Sequence, residues 1–127
     1  MSWLLILLQI AIALSMFDIW WWRYETPGIF RGGDATTMVE EFEHYGLPAW
    51  FRNLVRVLKL SAAVLMLVGI WYPVAAFVAA VVLIVLMAGA MTMHFKVRDP
   101  LFKSLPSFSF FLLNAIVAYA TRGALGL

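Results

Sequence analysis

What limits this chain most is the length of its apolar runs. Residues 74–93, "VAAFVAAVVLIVLMAGAMTM", pass without a single charged side chain. A bilayer core about 30 Å thick takes roughly 20 apolar residues per helix. Four segments meet that length, at about 2–22, 50–70, 74–95 and 104–121. In lipid each backbone N–H and C=O needs a partner from its own chain, so such runs become helices. The expected fold class is therefore an all-α membrane protein, a single domain over 1–127 built as an antiparallel four-transmembrane-helix bundle. Composition agrees: 65% of residues are hydrophobic and 13% charged, against about 45–50% and 25% in soluble domains.

The connections fix the order. "GIWYP" allows only a tight turn between the second and third spans, with Pro73 suited to a helix start and Trp71 and Tyr72 to a membrane interface. In "KVRDPLFK", Asp99-Pro100 punctuates the link to the fourth span. The longest connection, 23–49, contains "TMVEEFEHYGLP". Thr37 and Glu40 form a capping-box signature there, and Gly46 and Pro48 are stop signals. Met38, Phe42 and Tyr45 share a face while Glu40, Glu41 and Glu43 read as solvated. A short amphipathic helix is expected, lying on the membrane or capping the bundle. Residues 3–17 lack the basic residues that precede a signal-peptide core, so they read as a retained span.

Four spans put loops 23–49 and 96–103 on one side. That side carries Arg23, Arg31, Arg52, Arg56, Lys96, Arg98 and Lys103; the other carries Arg122 and the N-terminal amine. By the positive-inside rule the basic loops are cytoplasmic and both termini outside, as expected in a bacterial inner membrane. The net charge of +2 is scattered among apolar runs, which disfavours nucleic acid as a partner. Membrane lipids, other membrane subunits or further copies of the chain are the partners expected. With no cysteine, disulfides, thiol redox chemistry and thiolate metal sites are excluded.

Ionisable groups inside spans are functional hypotheses, because each costs about 2.5–3.5 kcal/mol at a helix centre. In "FRNLVRVLKL", Arg52, Arg56 and Lys59 stack on one helix face. Counting from Ala49, Arg52 is interfacial, Arg56 is about 10 Å deep and Lys59 about 15 Å. Asp18 lies about 7 Å in from the same side, and Asn114 matches the depth of Lys59. One reading has Arg52 and Arg56 snorkelling to headgroups, with Asp18 neutralising one of them. Lys59 lies too deep for that and calls for an internal partner such as Asp18 or Asn114. The sharper reading makes Asp18, Arg56, Lys59 and Asn114 a polar pocket for an anionic or quinone-like headgroup. A third makes the stripe a subunit interface.

Trp20, Trp21 and Trp22 with Arg23 read as an aromatic belt, or less simply as a stacking platform. Ala80, Ala88, Gly89 and Ala90 permit close helix approach. His44 and His94 lack ligand spacing, and their expected role is structural or interfacial; no metal site is expected. No cofactor is evident. Nor is there a Ser-His-Asp set, a phosphate loop or a carboxylate pair, so catalysis by this chain alone is not expected.

"HYGLPAWFRNLVRVLKLSAAVLMLVGIWYPVAAFVAAVVLIVLMAGAMTMHFKVRDP" resembles the DoxX-like family of small four-span membrane proteins. The likeness rests on the Gly46-Leu47-Pro48 entry, the small-residue second span ending near Gly69, the short turn into an Ala-rich third span, and the His94 to Pro100 exit. The resemblance implies a membrane bundle that is associated with quinol- or sulfur-oxidising complexes in some members and acts in assembly in others. It also implies an acidic residue midway along the second span and a lysine late in the first. Here those places hold Lys59 and the Asp18–Arg23 region, so the charges are reversed. The first functional expectation is thus a non-catalytic accessory or assembly subunit of a larger complex, respiratory or quinone-linked. The alternative is a binder of a small hydrophobic or quinone-like ligand. A small transporter ranks last, since no helix breaks at mid-depth.

Overall fold

The computed structural model describes residues 2–25, 28, 30–33, 35 and 37–127, and among them all regular structure is helical. Parts of the 23–49 connection therefore lie outside the described residues. Helix α1 spans Trp3–Phe17, α2 Met38–Tyr45, α3 Ala49–Val68, α4 Pro73–Lys96 and α5 Leu105–Thr121.

Local chemistry sets each boundary. Ser2 caps α1 by accepting the Leu5 N–H at 3.1 Å, and α1 leads into a π-helical turn over Asp18–Trp22. There the Arg23 N–H bonds the Asp18 carbonyl at 2.7 Å, a five-residue step that widens the helix. The widening sorts the three tryptophans: Trp20 is 4% exposed, Trp21 66% and Trp22 82%. Thr37 caps α2 through the Glu40 N–H at 3.1 Å, as the capping box predicts. Gly46 ends α2 at φ +77°, and the Leu47 N–H bonds the Phe42 carbonyl at 3.0 Å in the reversal that a left-handed glycine permits.

Between α3 and α4 the chain reverses within four residues. A Cβ on Gly69 would lie 2.6 Å from the Ala76 backbone, so the turn can be this tight only with hydrogen at that position. Pro73 opens α4. A 3₁₀ turn, Leu101–Ser104, precedes α5, and another, Arg122–Leu125, follows it.

The long helices pack α1 on α3, α3 on α4, α4 on α5 and α5 back on α1. Their seam is rich in small and flexible residues: Ala13 and Met16, Ala62, Ala63 and Met66, Ala76, Ala79, Ala80 and Leu83 are all buried. Alanine at such contacts lets helix axes approach closely. The outward faces are apolar as well, with Leu4, Leu7, Val57, Val64, Val81, Val85 and Ile116 exposed. A water-soluble bundle would place polar groups there, whereas lipid accepts them.

Three helical stretches are long and apolar enough to cross a membrane: Trp3–Trp22, Pro73–Lys96 and Leu101–Leu125. Helix α3 has 20 residues but carries Arg52, Arg56 and Lys59, and so stands apart from them in composition.

Candidate functional site

A cavity of about 650 Å³ occupies the end of the fold that bears the 23–49 and 96–103 connections. Its walls are mainly apolar, from Met16 on α1, Ile19 on the π-helical turn, Phe51 and Val55 on α3, Leu86 and Met93 on α4 and Phe110 on α5. Helix α2 covers it with Met38, Glu41, Phe42 and Tyr45, which are buried on one face. This corrects the expectation of a fully solvated acidic face. Residues 38, 41, 42 and 45 fall on one stripe of a 3.6-residue helix, so Glu41 turns inward while Glu40 and Glu43 remain outside.

Glu41 tolerates burial because its oxygens are taken. Arg31 Nη1 donates to Oε2 at 3.1 Å and the Tyr45 hydroxyl donates to Oε1 at 2.6 Å. The same hydroxyl lies 3.4 Å from His94 Nε2. His94 Nδ1–H in turn donates to Asp99 Oδ2 at 2.7 Å. Asp99 Oδ1 accepts the Gly33 N–H at 3.0 Å and lies 4.0 Å from Lys103 Nζ. Lys103 donates to the Gly33 carbonyl at 2.7 Å, and Lys96 to the Tyr45 carbonyl at 2.9 Å. Hydrogen bonds thus bind the lid helix to the far end of α4 and to the 96–103 connection.

Two of these groups are displaced from their usual titration. Burial, reinforced by the Glu41 charge and hydrogen bond, pushes the Tyr45 phenol well above its ordinary range. Burial alone would raise Asp99, but the hydrogen bonds from His94 and Gly33 and the nearby charges of His94 and Lys103 outweigh it and hold the carboxyl below its ordinary range.

Lys59 sits on the opposite wall, on the inward stripe of α3 between Val55 and Ala62. It is 6% exposed, lines the cavity, and holds its ammonium 4.2 Å over the Trp20 ring. Among the described residues it has no hydrogen bond and no ion pair. The partners expected for it are engaged elsewhere. Asp18 pairs with Arg23 at 2.7 Å; the Asn114 amide nitrogen donates to the Phe110 carbonyl at 2.8 Å, while its Oδ1 is buried without a hydrogen bond among the described residues and does not meet Lys59. Asp18, Trp20, Arg23 and Lys59 line the cavity; Arg52, Arg56, Trp21, Trp22 and Asn114 do not. Arg56 donates to the Trp20 carbonyl at 3.0 Å and stacks 4.1 Å over Tyr24, which fixes the helical turn that positions Trp20.

His94, Tyr45, Glu41 and Asp99 were missed as a group, because no spacing in the sequence links residues 41–45 to 94–99. The available signal was the position of His94 within the last turn of an apolar helix. His44 stays exposed beside Gly33 and outside the cluster. Among the described residues no three metal-ligating side chains converge.

The comparisons with known proteins concern the same region. The model of the DoxX-like family matches residues 26–119, which include the lid helix, Lys59 and the His94–Asp99 pair. The uncharacterized protein YdgD of Bacillus subtilis (strain 168) is 32% identical over 96 residues, 75% of this chain and 79% of that protein. No solved structure matches.

Proposed function

The chain belongs to the DoxX-like family, and from that premise we propose that it is a four-span, antiparallel membrane bundle that binds a small hydrophobic ligand with a polar head. In this reading α3 is the fourth crossing helix. Its outer face, with Val57, Val64 and Leu65, meets lipid, while Lys59 turns into the cavity. The basic connections face the cytoplasm of a bacterial cell and both termini face outward.

The observation that carries the reading is Lys59: a buried ammonium beside a cavity, touching the Trp20 ring and no anion. Such a charge is costly in a lipid-embedded fold and is retained where it meets a ligand or a partner. The cavity volume of about 650 Å³ falls within the roughly 300–1,000 Å³ of small-molecule sites. A quinone-like head fits the reading insofar as its carbonyl accepts a hydrogen bond from Lys59.

Purification in mild detergent, with every co-purifying lipid and protein identified by mass spectrometry, tests this. Gly89 lines the cavity and a Cβ there meets no atom within 4 Å, so Gly89→Phe is accommodated without a clash and is expected to narrow the cavity at its rim. The wild-type protein is expected to carry a ligand at about one per chain, and Gly89→Phe to lose it. Equal content in the two proteins, or none in either, would overturn the binding role. The accessory or assembly role is the second reading. It is favoured by the wide apolar and aromatic outer surface, including exposed Trp3, Trp50 and Trp71, and a stoichiometric protein partner in the same purification would establish it.

A further inference from the structure

We infer that the ligand of this cavity is a compact monoanionic hydrophobic acid whose carboxylate pairs with Lys59, an inference that rests on the binding role proposed above. The argument is a charge balance over the cavity wall. Asp18 is matched by Arg23 at 2.7 Å and Glu41 by Arg31 at 3.1 Å. His94 and Lys103 share Asp99 at 2.7 and 4.0 Å. Among the described residues that line the cavity, Lys59 is the cation left without an anion. The positive charge of Lys59 is therefore met by no anion among the described residues, and it lies in a chamber whose walls are mainly apolar.

A neutral acceptor would use one of the three ammonium donors and leave the charge. A dianion would replace one unmatched charge with another of opposite sign. A single carboxylate removes the imbalance and gains charge-assisted hydrogen bonds in a medium of low dielectric. The Trp20 ring, 4.2 Å from Nζ, holds the ammonium in place while the site is empty. Two routes lead to the same ion pair: the anion meets the ammonium, or the neutral acid transfers its proton to the amine, so the O–H bond breaks as the N–H bond forms. Lys59 is ten residues into α3, about 15 Å along the helix. The head of the ligand therefore points to the chamber floor and its apolar body fills the space beneath α2, against Phe42, Phe51, Met93 and Phe110.

The test uses the full chain, stripped of lipid in detergent and reconstituted in nanodiscs of neutral phosphatidylcholine. Equilibrium dialysis then measures binding of two matched pairs: decanoate against decanol for an acyl source, and 2-naphthoate against 2-naphthamide for an aromatic one. In at least one pair the acid is expected to bind about tenfold or more tighter than its neutral partner. Lys59→Met is expected to erase that preference while still binding the neutral compound. Which pair shows the preference identifies the source. Equal affinity of acid and neutral compound, or a preference that survives in Lys59→Met, overturns the assignment of charge and leaves the cavity reading intact. Binding of neither pair overturns both. The Lys59→Met protein removes an unpaired buried charge, so it is expected to fold; circular dichroism and a thermal midpoint no lower than wild type verify this.

Discussion

Lys59 and Tyr45 are both polar groups buried at the cavity, and their situations are opposite. Tyr45 is fully engaged, donating to Glu41 at 2.6 Å with His94 Nε2 at 3.4 Å, whereas Lys59 has three protons and only a ring to meet. Removing each should therefore move stability in opposite directions. Lys59→Met is expected to stabilise the empty protein by about 1–3 kcal/mol, seen as a higher thermal midpoint in detergent, because an uncompensated charge leaves the interior. Tyr45→Phe is expected to destabilise by about 1–3 kcal/mol, since the buried Glu41 carboxylate loses the hydroxyl that donates to it at 2.6 Å.

The pH dependence follows from the same two shifts. Asp99 is held below its ordinary range, so its contribution is present above the unfolded pKa of about 3.9 and is lost as pH falls through the lower folded value. Tyr45 is raised, so its contribution is present below the unfolded pKa of about 10 and is lost as pH rises above it. A thermal-midpoint profile should therefore fall at both extremes. Asp99→Asn should flatten the acid limb and Tyr45→Phe the alkaline limb. Lys59 was legible in the sequence, because a lysine deep in an apolar helix has no ordinary explanation. Its setting was not, since the face of Trp20 reaches it through a π-helical turn that periodicity does not register. The Glu41–Tyr45–His94–Asp99 cluster was illegible for a different reason: its members are ordinary residues until folding brings them together.

Among the elements, α2 carries the most consequence for its length. Eight residues make a marginal helix on their own, so its caps and its buried face must hold it. Loss of the Thr37 cap in Thr37→Ala should cost about 1 kcal/mol. If α2 is a lid over the cavity, the same change should speed hydrogen exchange in Met38–Tyr45 more than in α4. Gly69 gives a sharper effect. A methyl group at that position overlaps the Ala76 backbone, and Gly69→Ala should separate α3 from α4 and lower the thermal midpoint by several degrees. Turn residues and caps act over a few residues of sequence, so "GIWYP" and the Thr37–Glu40 box were read correctly. The inward turn of Glu41 was not, because three acids within four residues read as solvated unless the stripe of 38, 41, 42 and 45 is followed through the whole helix.

At the scale of the whole molecule, the apolar outer faces and the family assignment identify a membrane protein, and the number of crossings decides its topology. Three helical stretches are apolar enough by composition; the account adds α3, with its cations turned to the cavity, to Trp20 and to Tyr24. Everything proposed for Lys59 depends on that fourth crossing, which places the residue at mid-depth with lipid outside it and a ligand within. Four crossings put both termini on one side and three put them on opposite sides, and a chain without cysteine suits the distinction. Single-cysteine variants Ser2→Cys, Glu43→Cys and Gly126→Cys would be labelled in intact cells with an impermeant maleimide. The account predicts that Ser2→Cys and Gly126→Cys react from the outside and that Glu43→Cys reacts only after permeabilisation. Reaction of Ser2→Cys and Gly126→Cys from opposite sides would contradict it.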